Sequence, residues 1–513
     1  MTSTLESQPA HASAAARAVR EVRVAIIGSG FAGLGLAIRL RQRGETDFVV
    51  LERGEDVGGT WRDNTYPGAA CDVHSNLYSF SFAPNPDWPR TYSRQPEIQA
   101  YLRSTAERFG VYPHCVFGAD VTGARWDDEA RRWRVRTSAG ELSARVLVSA
   151  AGALVDPVRP DIPGLDSFAG TVMHSARWDA EHDLTGEQVA VIGTGASAIQ
   201  IVPAIQPRVA GVAVYQRTPP WIVPRGDRPV KPAAQRVYRR LPAAQKAARA
   251  ALYATREVLV VGMAKQRRLL RPVAKMAQAH LEAQVRDPQL RAALTPDYTI
   301  GCKRILISND YYPAVSAPNA ELVTAGIAEV RPHSIVTRDG VERPTDTIVL
   351  ATGFAVTDLP IAHRITGRDG RTLAQVWDEG MVTNRGSAVA GFPNLFLLVG
   401  PNVGVGHTSM VYMIESQLAY VLDALRTMAA EDLEVLETTP QAQEAYRRLI
   451  AERSNGTVWL AGGCGSWYLD RHGHNTTLWP DFTFRFRRLT RRLDRENYVG
   501  TPAAAATRSE VAA

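Results

Sequence analysis

Residues 22–33 read VRVAIIGSGFAG: a strand-like apolar run broken only by Arg23, then Gly28, Gly30 and Gly33 in the spacing G-x-G-x-x-G. In that spacing the first glycine permits a tight turn, the second lets backbone approach a pyrophosphate, and the third lets a helix pack closely on the strand. A helical stretch, LGLAIRLRQRG (34–44), follows, and a second strand-like run, FVVLE (48–52), closes on Glu52. A carboxylate at that place accepts hydrogen bonds from a ribose diol. A glycine pattern alone also arises in ordinary β–α connections. The strand before it, the helix after it and the acid in register make this one a dinucleotide site, with Phe31 inside its turn.

The same device recurs further on. EQVAVIG (187–193) runs into GTGASA, where Gly193, Gly195 and Ala198 take the three small positions and Thr194 and Ser197 lie between them. Alanine is a permitted third member. GVAVYQR (211–217) then ends in Arg217, followed by Thr218, and Arg217 stands as far beyond Gly193 as Glu52 stands beyond Gly28. An acid suits a ribose diol, whereas a guanidinium suits a 2′-phosphate through charged, bidentate hydrogen bonds. The chain therefore reads as binding two different dinucleotides, FAD at the first turn and NADPH at the second.

A chain of 513 residues is long for one domain, and 45% apolar with 22% charged residues is an ordinary globular balance. Without a run of 18 apolar residues, no membrane-spanning helix is expected. The Ala- and Ser-rich start lacks the apolar core of a signal peptide and reads as a disordered tail over 1–20. The low-complexity end, TPAAAATRSEVAA, places a second tail at 499–513. Cys71, Cys115, Cys302 and Cys464 are scattered with no CxxC, so free thiols in a reducing cytoplasm are expected, and no metal site. The net charge of +7 has local excesses in KQRRLLR (265–271) and RFRRLTRR (485–492). These read as solvated basic faces rather than a nucleic-acid surface.

The fold class is α/β: two Rossmann-like domains, the second inserted in the first, with a helical subdomain. Two later strands, in TDTIVLATGFAV (345–356) and GFPNLFLLVGPN (391–402), are expected to return to the first sheet. This divides the chain into a first FAD-binding part (21–160), an NADP-binding domain (161–345) and a second FAD-binding part (346–498). Helical spacing with few Gly or Pro marks an insertion at about 232–297, whose Leu and Ala stripes are expected to be core.

FAGTVMHSARWD (168–179) is neither obvious strand nor helix. Phe168, Gly170, His174, Trp178 and Asp179 match F-x-G-x-x-x-H-x-x-x-W-(P/D), and the chain thereby resembles the type I Baeyer–Villiger monooxygenases. Nitrogen- and sulfur-oxidising flavin monooxygenases usually carry Tyr or Phe where Trp178 stands. The resemblance continues through GGTWRDNTYPGAACD (58–72), GCKR (301–304), ATGF (351–354) and GHNTTLWPDFTF (473–484), and so covers about residues 22–498.

The resemblance implies an enzyme that uses FAD, NADPH and O2 to insert one oxygen atom beside the carbonyl of a small organic ketone, through a flavin C4a-peroxide. It implies that Arg304 is the catalytic guanidinium, that Asp72 orients it, and that Lys303 meets the NADP phosphate. It further implies that His174 sits at a hinge between the two domains. Gly59, Thr60, Trp61 and Tyr78 map onto the flavin site, and Tyr66 and Pro67 onto its face and the substrate pocket. One departure stands out: TNRGSAVAGFPN (383–394) has Asn384 and Arg385 where relatives carry an aromatic and an aliphatic residue bordering that pocket. An inward Arg385 would favour anionic ketones. A nitrogen- or sulfur-oxidising monooxygenase, a non-oxygenating NADPH oxidase and a nucleotide sensor without turnover remain the alternatives at this point.

Overall fold

The computed structural model describes residues 20–503. The strand Arg20–Ile27 is the hub of the first sheet. It pairs in parallel with Phe48–Leu51 on one side and Gly140–Ser149 on the other. Phe48–Leu51 continues to Cys115–Val116, and the opposite flank is an antiparallel ribbon, Val121–Asp127 and Arg132–Thr137, joined to Gly140–Ser149. The central strands are buried on both faces, which is why they read as near-continuous apolar runs rather than alternating ones.

The second sheet is wholly parallel, in the order Ala320–Val323, Gly211–Tyr215, Gln188–Ile192, Thr347–Leu350, Thr171–His174. The expected return of 345–356 to the first sheet is therefore corrected: Thr347–Leu350 is the fourth strand of the second sheet. All four of its residues are buried between two parallel neighbours. A short run of uniformly apolar residues carries no period that says which sheet it joins. The chain crosses back only after it. There Ala351–Ala355 runs beside the outgoing segment 156–158, with Val158 N–H donating to Gly353 O (2.9 Å) and Ala355 N–H to Asp156 O (3.0 Å). Leu395–Leu397 then pairs with Gly140–Ser149, as expected of the later strand.

Three more expectations change. Residues 499–502 are not a disordered tail as expected, because Tyr498–Pro502 is a strand paired antiparallel with Leu433–Thr438. The rest of both tails, 1–19 and 504–513, lies outside the described residues. The helical insertion buries its stripes only in part: no apolar residue of Pro232–Arg240 or Pro242–Glu257 is buried, whereas Ala277 and Leu281 of Arg271–Gln284 belong to the core. Pro242–Glu257 is held instead by long polar side chains. Gln245 Nε2 donates to Asn85 O (2.6 Å), Arg249 to Asn76 O (2.7 Å) and Arg256 to Tyr92 Oη (2.9 Å). Finally, Cys302 and Cys464 form a disulfide across 162 residues, leaving Cys71 and Cys115 as free thiols. Sequence spacing could not reveal it. The pair is brought together by the fold, with Thr299 N–H bonded to Gly462 O at 2.9 Å. The argument for a reducing compartment falls with it. No helix among the described residues is long and apolar enough to cross a membrane.

Candidate active site

The glycines of the first turn are where backbone must pass backbone. Gly28 has φ +94°, and a Cβ there would lie 2.8 Å from Ala150 O; a Cβ on Gly33 would lie 1.9 Å from Gly28 O. The helix Phe31–Gln42 starts at Gly30 with no side-chain cap, so its first N–H groups point into the cleft as an anion site. Gly59 faces Gly30 from the other wall, and Thr60, Trp61 and Tyr78 line the same cleft, Trp61 Nε1 donating to Tyr78 Oη at 3.1 Å.

Glu52 is buried beneath this turn. It accepts from Ser29 N (2.9 Å), Ser29 Oγ (2.7 Å) and Gly54 N (2.8 Å), and pairs with Arg62 at 2.7 Å. Burial alone would raise its pKa, but the Arg62 charge and these donors hold it below the usual carboxylate range. The residues therefore fit FAD: backbone donors for the pyrophosphate, and an ionised acid placed for the ribose.

The second turn repeats the cradle. Gly193 has φ +113°, with a Cβ there only 2.5 Å from Ala351 O, and Thr194 Oγ1 donates to Thr218 O at 3.1 Å. Ser197 leads into the helix Ala198–Ile205 without a side-chain cap. Burial, and after it the neighbouring Arg217 charge, lower the Lys303 pKa. Two cations set against each other at the mouth of this turn suit an anion such as a 2′-phosphate.

Arg304 and Asp72 come from different parts of the chain, 232 residues apart, and meet in a planar fork. Nε donates to Oδ2 at 2.6 Å and one Nη to Oδ1 at 2.7 Å. Their side chains are 29% and 24% exposed, and Arg304 opens onto the flavin cleft. Burial pushes the Asp72 pKa up, but the guanidinium outweighs it and keeps the carboxyl ionised; Asp72 in turn raises Arg304. Arg304 thus presents to the cleft a positive charge that cannot be titrated away, held in place by Asp72.

His174 ends the strand Thr171–His174 and is buried. Ala176 N–H donates to its Nδ1 (3.0 Å), while Nε2 is buried with no partner among the described residues. Burial lowers its pKa and so favours the neutral ring, and because Nδ1 accepts from Ala176 N–H, the neutral ring carries its proton on Nε2. Gly170 is required here, since a Cβ would lie 2.1 Å from Asp346 O. Phe168 packs on the core of the second sheet, Trp178 packs on its helical side, and Asp179 accepts from Glu181 N–H.

The three residues expected at a substrate pocket are not among those lining the flavin cleft. Tyr66 does not line the cleft; its hydroxyl donates to Gln200 Oε1 at 3.1 Å. Asn384 is buried and bonds to Thr438 and Asp494. Arg385 has φ +51° and turns its guanidinium onto Asp494 at 3.1 Å, beside the Tyr420 ring. Arg385→Leu is accordingly expected to leave the relative rates for acidic and neutral ketones unchanged. It should destabilise the protein by about 1–3 kcal/mol, because Asp494 is 2% exposed and would lose its cation. A changed preference for acidic ketones would show that the side chain reaches the substrate.

Sequence reasoning missed Arg62 over Glu52, Tyr468 beside Arg304, and Gln200. Only Gln200 carried a signal: it is the one polar residue in the helix AIQIVPAI.

Comparison with known proteins points the same way. A family described as pyridine nucleotide-disulphide oxidoreductase matches residues 25–267. A protein of Streptomyces coelicolor named Baeyer-Villiger monooxygenase is 54% identical over 486 residues, covering 94% of each chain. The crystal structure of cyclohexanone monooxygenase from Rhodococcus sp. Phi1 bound to NADP+ superposes with a TM-score of 0.84 at 28% identity, over 94% of this chain and 100% of that one. The structure of OTEMO in complex with FAD and NADP also gives 0.84, at 26% identity, over 94% and 99%.

Proposed function

The chain belongs to the Baeyer–Villiger monooxygenase family, and from that membership we propose that it is an FAD- and NADPH-dependent enzyme converting a small organic ketone to an ester or lactone with one oxygen atom of O2. The observation that carries the reading is the Arg304–Asp72 fork, whose guanidinium opens on the cleft of the first dinucleotide turn.

FAD would be held by the Gly28–Gly33 turn, by Glu52 and by the Gly59–Trp61 wall with Tyr78; NADP would be held by the 193–198 turn, Arg217, Thr218 and Lys303. When bound and reduced, the flavin supplies activated dioxygen. Everything else falls to the chain. As a ketone carbonyl is attacked, negative charge grows on oxygen, and the preorganised Arg304 guanidinium meets it without waiting for solvent to reorient. Asp72 fixes the plane of that guanidinium through both of its oxygens. The aromatic wall of Trp61 and Tyr78 keeps water from the reacting centre. His174, at the end of the strand Thr171–His174, has a buried Nε2 that would be available to a bound nucleotide.

The reading is tested by incubating the protein with NADPH, air and a panel of ketones and sulfides. A ketone product heavier by one oxygen atom supports it; sulfoxides alone, or NADPH oxidation without any oxygenated product, defeat it. Cofactor choice is a second expectation. With Arg217 and Lys303 facing the 2′-phosphate, NADPH should be preferred over NADH. Arg217→Ala should remove about ten- to a hundred-fold of that preference, the value of a charge-assisted contact. Equal kcat/KM for the two cofactors in the parent protein would sink the assignment.

A further inference from the structure

We propose that Gln200 is a positioning residue that ties the NADP turn to the catalytic fork, an inference that rests on the assignment of NADP to residues 193–198 and of the reaction's charge to Arg304. Gln200 lies just past that turn, in the helix Ala198–Ile205. Its amide crosses to the other domain and pairs with the backbone of Ala70 as a strand would: Oε1 accepts from Ala70 N–H (3.2 Å) and Nε2 donates to Ala70 O (3.0 Å). Oε1 also accepts from the Tyr66 hydroxyl at 3.1 Å.

Close approach makes this possible. Gly68 has φ +85°, and a Cβ there would lie 2.5 Å from Gln200 O. On its other side the same segment is fixed, with Gln95 N–H bonded to Ala69 O and Cys71 N–H to Ser93 O, both at 2.9 Å. Asp72 follows directly and grips Arg304. A side chain three residues past Ser197 therefore holds the backbone two residues before Asp72. A dinucleotide that orders the 193–198 turn orders the Gln200 amide, and through it the carboxylate that sets the plane of Arg304. Two sites coupled in this way share a free energy, and the coupling passes through three hydrogen bonds that all end on the Gln200 amide.

The test uses the FAD holoenzyme with NADP+ as the probe and hydrogen exchange as the readout, followed by turnover. In the parent, NADP+ is expected to slow exchange in both 193–200 and 66–72. In Gln200→Leu, which keeps the volume and removes both polar atoms, it should slow only 193–200. The oxygenated product formed per NADPH should fall about fivefold, the lower end of ordinary coupling between sites. In an Asp72→Asn background, Gln200→Leu should add less than about twofold, because the two act in series. Tyr66→Phe removes one of the three bonds, keeps the ring, and should show the same pattern at smaller size; it carries the test if Gln200→Leu does not fold. Protection of 193–200 in the parent without protection of 66–72, or equal protection of 66–72 in parent and variants, overturns the coupling and leaves the NADP assignment standing. Protection of neither segment overturns both.

Discussion

Arg304→Ala is expected to fold, bind FAD and be reduced by NADPH, and to lose oxygenation by about a hundred- to a thousand-fold, the usual consequence of removing one preorganised donor or charge from such a site. The two half-reactions separate because they need different parts of the cleft. Flavin reduction draws on the glycine turns, Glu52, Arg217 and the Lys303 side chain, whereas the Arg304 guanidinium is given to Asp72. Oxygen insertion also needs positive charge where the carbonyl oxygen becomes an anion, the role proposed for Arg304 in the cleft wall. Arg304→Lys should recover little: an ammonium on a flexible stem cannot be held in a plane by both Asp72 oxygens, as Nε and Nη are at 2.6 and 2.7 Å. NADPH consumed by either variant should appear as hydrogen peroxide rather than ester or lactone. Near-normal ketone oxygenation by Arg304→Ala would show that the charge lies elsewhere.

The parts of this site that were legible in the sequence are those where backbone geometry dictates the residue. Only glycine fits where Gly28 passes Ala150 O or where Gly170 passes Asp346 O, so the glycines announce the cradles and the linker before any fold is known. The fork was legible only through family resemblance, because nothing in composition or period joins Asp72 to a residue 232 positions away. Three kinds of feature stayed hidden. The run TIVL at 347–350 is equally at home in either sheet, so its true neighbours, Gln188–Ile192 and Thr171–His174, had to come from the structure. Asn384 and Arg385 occupy a tight turn whose positive φ at Arg385 aims the guanidinium at buried Asp494, away from the cleft that their position in the chain suggested. Contacts between distant segments, such as Gln200 on Ala70, depend on how the two sheets are set against each other.

The bond between Cys302 and Cys464 belongs to that last group, and breaking it should have the largest effect on stability. The bridge closes a loop of 162 residues. In the chain-entropy view, such a cross-link restricts the unfolded chain enough to contribute about 5 kcal/mol to the folded state. Spread over 513 residues unfolding as one unit, that is a fall of about 4–5 °C in the thermal midpoint. Cys464→Ala in the FAD holoenzyme is the cleaner variant, because Cys464 is partly exposed whereas Cys302 is fully buried beside Gly462. The loss should reach the chemistry as well. Cys302 precedes Lys303 and Arg304 directly, and Cys464 begins the segment that carries Trp467 into the cleft wall and Tyr468 beside Arg304. With the staple gone, that segment and the GCKR turn keep contact only through noncovalent packing, so Arg304 should hold its place less well and the peroxide share of NADPH consumption should rise. Thiol titration of the denatured parent without reductant provides the prior check. Two reactive thiols, from Cys71 and Cys115, are expected. Four would mean that the bridge does not form, and an unchanged midpoint in Cys464→Ala would mean that it does not hold the two segments together.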